Sequence, residues 1–171
     1  VGGLGFSERT ILVLGVVVVP LVLGSRLPAS HDVEGRSRVR AEPASVDAAI
    51  ADIPGWSSGM PGNAPPRHRS ADGHPDYESR ADERTFLYFE LVEHRPPSHV
   101  RVRLDSSNGR LSATWDFDVV PCAGGSVVRL RERARTNSPM LRFVMRYVTG
   151  QDIGIRGTLM ALEQRFGRLG D

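Results

Sequence analysis

Glu132 is the residue whose type and position could do chemistry. It lies in Ser126–Arg135, where Val128, Leu130, Glu132 and Ala134 alternate with Arg129, Arg131 and Arg133. Such alternation sends one set of side chains inward, so a carboxylate joins an apolar face. A carboxylate there is costly unless it is paired or wetted by a cavity. Two readings follow. Glu132 orients a ligand or acts as a general base in a cavity, or it reaches solvent at the strand end or pairs with an arginine such as Arg142. Trp56, Phe89, Trp115, Phe117, Leu130 and Met145 fall on the apolar side of the same pattern. They either line a ligand cavity or fill a core, where aromatic and methionine side chains commonly go.

The other constellations are weaker. Gly55-Trp56-Ser57-Ser58-Gly59 fits G-x-S-x-G, but a nucleophile elbow needs a strand before the serine and a helix after it. Here a helical stretch precedes it and Met60-Pro61-Gly62 follows. His68, Asp72, His74 and Asp76 cluster in a polar stretch without the spacing of a zinc site, and read as a solvated turn. His31, His94 and His99 are isolated and read as surface residues. Gly2-Gly3-x-Gly5 has no strand before it to make a phosphate loop. Neither a metal nor a cofactor is expected.

All 22 basic residues are arginine, scattered along 171 residues with a formal net charge of +2. GC-rich coding explains this better than a binding role, and nucleic-acid binding is disfavoured because it needs a basic patch with a reader element. Cys122 is the single cysteine, which excludes an intramolecular disulfide. Ile11–Gly24 (ILVLGVVVVPLVLG) carries no charge. With Thr10 and Ser25 it would span about 24 Å as a helix, slightly less than a bilayer core of about 30 Å. A single membrane anchor is the leading reading; a signal peptide and a buried core element are the alternatives. Arg26, Arg36, Arg38 and Arg40 follow the run and only Arg9 precedes it, favouring a cytoplasmic domain. The chain thus divides into an anchor and linker over 1–29 and a folded domain over 30–171.

The elements that must position Glu132 follow in order. Ser30–Arg40 alternates as a half-buried strand, with Val33, Gly35, Ser37 and Val39 inward. Pro43 opens a short helix to about Asp52, with Val46, Ile50 and Ile53 inward. Gly59–Glu83 is poor in apolar residues and predicts a loop with weak edge strands around Arg67–Ser70 and Tyr77–Arg80, joined at Asp72-Gly73. Strands follow over Thr85–Glu93, His99–Asp105, Arg110–Val120 and Ser126–Arg135, an antiparallel meander apolar on one face. Asp116 and Asp118 fall on its outer face. Ser138 caps a long helix that opens at Pro139 and closes at Gly167. Its apolar stripe is Leu141, Val144, Met145, Val148, Ile155, Leu159, Leu162 and Phe166. A bend at Gly150 would separate an N-terminal lid turn from the part that covers the sheet.

These pieces are similar to the START-like helix-grip superfamily, also called SRPBCC or polyketide cyclase/dehydrase and lipid transport. The resemblance rests on the opening strand with AEPASVDAAIADIPGW, then FELVEHRPPSHVRVRL, ATWDFDVVPCAGGSVVRLRERA, and NSPMLRFVMRYVTG leading to LMALEQRFG. Asp47 departs from it, standing where relatives usually carry an aromatic residue. The resemblance implies an α+β helix-grip fold, an antiparallel sheet wrapped around a long C-terminal helix, here preceded by a transmembrane helix. It implies a cavity for a hydrophobic small molecule or lipid, lined by Trp56, Phe89, Trp115, Phe117, Leu130, Glu132 and Met145. The leading expectation is a membrane-tethered, non-catalytic binding domain. A cyclase- or dehydratase-type enzyme using Glu132 is the alternative, and a structural or partner-binding domain with a filled core is the third.

Overall fold

The computed structural model describes residues 14–57, 66–68 and 76–170. An apolar helix opens it, a π-helical turn over Leu14–Val18 continuing into α1 (Val19–Arg26). Then come β1 (Ser30–Val39), α2 (Pro43–Ala51), α3 (Ile53–Ser57), β2 (Arg67–His68), β3 (Asp76–Arg80) and β4 (Phe86–Arg95). The chain ends with β5 (His99–Ser106), β6 (Leu111–Cys122), β7 (Gly125–Thr136), α4 (Pro139–Val144), a π-helical turn over Met145–Thr149 and α5 (Ile153–Phe166).

The strands form one seven-stranded antiparallel sheet in the order β1-β7-β6-β5-β4-β3-β2. The meander from β4 to β7 follows from short turns between alternating segments, and β1 returns to close beside β7. The inner face is apolar. Phe89, Val100, Val102, Leu104, Trp115, Phe117, Val128 and Leu130 are buried on it, against Val46, Ile50 and Ile53 from the α2–α3 region and Ile155, Leu159 and Leu162 from α5. Ile155 packs directly over Gly35 of β1.

The outer face explains the scattered arginines. Arg131 and Arg133 of β7 stand opposite acids of β1 (Glu34, Asp32), and Arg129 and Arg131 stand opposite acids of β6 (Asp118, Asp116). Arg101 and Arg103 of β5 stand between β6 and Glu93 and Glu90 of β4. Asp116 does not point freely into solvent: hydrogen bonds from Arg101 and Arg133, the latter at 2.6 Å, cover it to 7% exposure. Burial works against its charged form, and those hydrogen bonds outweigh burial, holding its carboxyl below the usual range.

The terminal helix is not continuous. Ser138 caps α4 by accepting from the Leu141 amide at 3.4 Å, and Pro139 occupies the first turn. The helix then loosens and stops at Gly150, whose φ of 88° is open only to glycine at low cost. The Arg156 guanidinium donates to the freed Thr149 carbonyl at 3.0 Å. Leu141, Val144, Met145 and Val148 therefore lie outside the core, and α5 alone grips the sheet.

Among the described residues no helix is long and apolar enough to cross a membrane. The described part of the N-terminal run, Leu14–Arg26, is roughly 20 Å long at 1.5 Å per residue, and Ile11–Val13 lie outside the described residues. Within it α1 packs on α4. A Cβ at Gly24 would overlap the Pro139 carbonyl oxygen, so only glycine admits this approach.

Candidate functional site

Five aromatic and aliphatic candidates, Trp56, Phe89, Trp115, Phe117 and Leu130, separate from Met145. Trp56, at the end of α3, packs against Phe89 at 6.0 Å, Trp115 at 5.4 Å and Phe117 at 5.9 Å between ring centroids. Its indole N–H donates to the Ile50 carbonyl at 2.7 Å. With Leu130 these side chains are buried and fill the middle of the domain. Ser57 is buried beside them, its hydroxyl donating to the Ile53 carbonyl at 2.6 Å. That bond belongs to the helix, so Ser57 is no nucleophile. Among the described residues no cluster of metal-ligating side chains is present. Asp72 and His74 lie outside the described residues.

Glu132 is inward, as its register requires, and only 6% exposed. It sits opposite Trp115 of β6 and Val33 of β1. The arginine expected as its partner is engaged elsewhere. Arg142 donates to the carbonyls of Thr136 at 2.9 Å and Leu27 at 3.0 Å, strapping the linker after α1 to the start of the terminal helix. The group facing Glu132 is His31, with Nε2 at 3.8 Å from Oε1 and a side chain 9% exposed.

His31 is therefore not a surface residue. It extends the β1 alternation one step ahead of Val33, Gly35, Ser37 and Val39, and that phase was the signal available for it. Glu132 Oε2, His31 Nε2, Trp115 Nε1 and Thr158 Oγ1 are buried without a hydrogen-bond partner among the described residues. They are close in space. A Cβ at Gly154 would lie 3.2 Å from the Trp115 ring and 3.5 Å from Glu132 Oε2, and Thr158 follows one helical turn later. Native proteins rarely leave such groups unanswered, so this corner is built to meet polar atoms.

A cleft of about 390 Å³ opens against this corner. Its walls include Leu27, Pro28, His31, Thr136, Met145 and Gln151, with Arg146 at the rim. Met145 thus lines a cavity, but one at the side of the domain, and its Sδ lies 3.8 Å from the Thr136 hydroxyl. The volume falls in the range of small-molecule pockets. A lining that mixes Leu27, Pro28 and Met145 with Asp32, Arg142 and Arg146, and a buried imidazole with a carboxylate behind it, suit a molecule with an apolar body and a polar end.

His94 and His99, read with His31 as isolated surface residues, are also paired. The register shift between Leu91 and Glu93 turns His94 onto the inner face, opposite Val100. Its Nε2 meets Asp47 Oδ2 of α2 at 2.8 Å. His99 Nδ1 meets Asp118 Oδ1 at 2.8 Å on the outer face.

No family profile matches the chain, and no curated protein matches it in sequence. Solved structures match its shape. The crystal structure of Ara h 8.0201 covers 80% of this chain and 97% of its own at TM-score 0.58 and 14% identity. That of TTHA0849 from Thermus thermophilus covers 79% and 96% at TM-score 0.58 and 16% identity. This is the helix-grip, SRPBCC-type fold. The di-domain ARO/CYC StfQ from the steffimycin biosynthetic pathway shares it, over 80% of this chain and 52% of that one, at TM-score 0.54 and 13% identity. At these identities the likeness is one of fold, and function must be argued from the site.

Proposed function

We propose that this chain is a membrane-tethered helix-grip domain that binds a hydrophobic small molecule or lipid without transforming it. The observation that carries the reading is the cleft of about 390 Å³ with a mixed lining and His31 in its wall. The centre of the domain is filled by Trp56, Phe89, Trp115 and Phe117, so the ligand sits beside the terminal helix. Leu27, Pro28 and Met145 take its apolar body; His31, backed by Glu132, takes its polar end. The uncharged Ile11–Gly24 run supplies the tether, and the arginines that follow it favour a cytoplasmic domain.

Photo-crosslinking the full chain with a diazirine fatty acid tests this. Adducts within Leu27–Asp32 and Met145–Gln151 are expected. Labelling confined to the N-terminal run would remove the cleft from the account.

A second reading is an acid–base enzyme, on the 3.8 Å approach of His31 to Glu132. An imidazole on a cleft wall with a carboxylate behind it can move a proton of a cyclase- or dehydratase-type substrate. That the fold is shared with an aromatase/cyclase di-domain protein is consistent with this. Turnover of a polyketide-like substrate, abolished alike in His31→Gln and Glu132→Gln, would favour it.

A further inference from the structure

The apolar surface of this chain is not confined to its N-terminal run. On α1 only Pro20 and Gly24 are buried, one turn apart and facing α4. The rest of the helix is open, from Val16 at 62% exposure to Leu23 at 42%. The π-helical turn continues α4, the helix that α1 packs against, and its Tyr147 and Val148 are 59% and 69% exposed. Large apolar side chains so exposed on neighbouring segments mark an interaction surface. Within the two segments themselves the charge is of one sign. Leu14–Pro28 and Asn137–Gln151 contain no acidic residue, and carry Arg26, Arg142 and Arg146. Arg26 and Arg146 are exposed, and Arg146 also stands at the rim of the cleft.

We infer that α1 and the Met145–Thr149 turn together form one docking face for an anionic lipid bilayer, with the mouth of the cleft at the membrane surface. An apolar helix held against a folded domain can lie in the interface, with its apolar side chains in the acyl boundary. Basic side chains at its border then meet anionic headgroups, each strengthening attachment by about fivefold. The close contact of Gly24 with Pro139 and the Arg142 strap to Leu27 fix the turn beside α1. Tyr147 and Val148 therefore insert with it, and the ligand passes between bilayer and cleft without crossing water. The inference rests on the binding role proposed for the cleft, and adds the surface from which that cleft is filled.

The test uses the full chain reconstituted with vesicles of phosphatidylcholine, with and without phosphatidylglycerol. In Val148→Trp, the new indole is expected to be quenched by lipids brominated along the acyl chain, while buried Trp56 and Trp115 in the parent protein are not. Tyr147→Asp/Val148→Asp, with the N-terminal run intact, should partition onto anionic vesicles at least about tenfold more weakly. Arg146→Glu should lose about fivefold, an effect that salt removes. An unquenched indole in Val148→Trp, or a double variant that binds like the parent, would overturn the docking face. So would stable self-association that hides Val148 from bromolipid. Fatty-acid crosslinking in the cleft of the double variant separates the two ideas. Retained labelling with lost vesicle binding supports both, whereas absent labelling in the parent protein sinks the binding role alone.

Discussion

His31 of β1 and Glu132 of β7 face each other under the terminal helix, with Nε2 and Oε1 3.8 Å apart. Neither reaches a full hydrogen bond, and neither has another buried partner among the described residues. A fold selected for stability alone would have little use for the pair. Glu132→Gln should therefore change stability by no more than about 1 kcal/mol, since Glu132 Oε2 has no hydrogen bond to lose. The same substitution should weaken ligand uptake. Urea unfolding and probe binding on one preparation check both parts; a large loss of stability would mean that Glu132 is structural.

Trp56 has the opposite character. Its ring touches three other buried rings, and its N–H is satisfied by Ile50. Trp56→Ala should cost about 3–5 kcal/mol and broaden the unfolding transition. If unfolding shifted by less than about 1 kcal/mol, the middle of the domain would be a cavity instead of a packed core.

Asp116 ties stability to pH. Its carboxyl is held below the ordinary value of 3.8, with burial opposing and the Arg101 and Arg133 hydrogen bonds prevailing. A lowered carboxylate pKa gives stability that is complete above the unfolded value and lost as pH falls through the folded one. Asp116→Asn should cost about 1 kcal/mol at pH 7, with the gap to the parent closing below about pH 4. A gap that stays constant on acidification would show that the charge does not act through titration.

Gly24 should be irreplaceable for the packing of α1. A methyl group overlapping the Pro139 oxygen cannot be accommodated, so Gly24→Ala should free α1 from α4 without unfolding the sheet. Trypsin cleavage after Arg26 is expected to accelerate at least about tenfold, with the main unfolding transition unmoved. Unchanged proteolysis would remove the Gly24 contact from the account.

Much of this was legible in the sequence because the meander alternates strictly. Val100, Val102, Leu104, Trp115, Phe117, Val128 and Leu130 fall inward as their phase requires. So does Glu132, and Ser138 and Pro139 open the terminal helix as expected. What escaped has physical reasons. His94 stays exposed as expected but is not isolated: a bulge shifts the phase by one residue and brings it to Asp47, which alternation read along one strand cannot show. Asp116 is outward in phase yet covered, because its arginines come from neighbouring strands. The α3 turn forms across Pro54 and Gly55, against local propensity, because Ile53 and Trp56 are drawn into the core. The stripe from Leu141 to Phe166 has helical spacing throughout, but at Gly150 the chain leaves helical geometry. The half before it packs on α1 instead of the sheet.

The proposed binding role puts an apolar molecule in the cleft beside His31. Native mass spectrometry of the full chain, released from mild detergent, is set beside the same measurement on Met145→Trp, which fills the cleft. An apolar molecule bound one to one is expected in the parent protein and none in the variant. An empty parent protein, or a variant equally loaded, would rule the cleft out as the binding site.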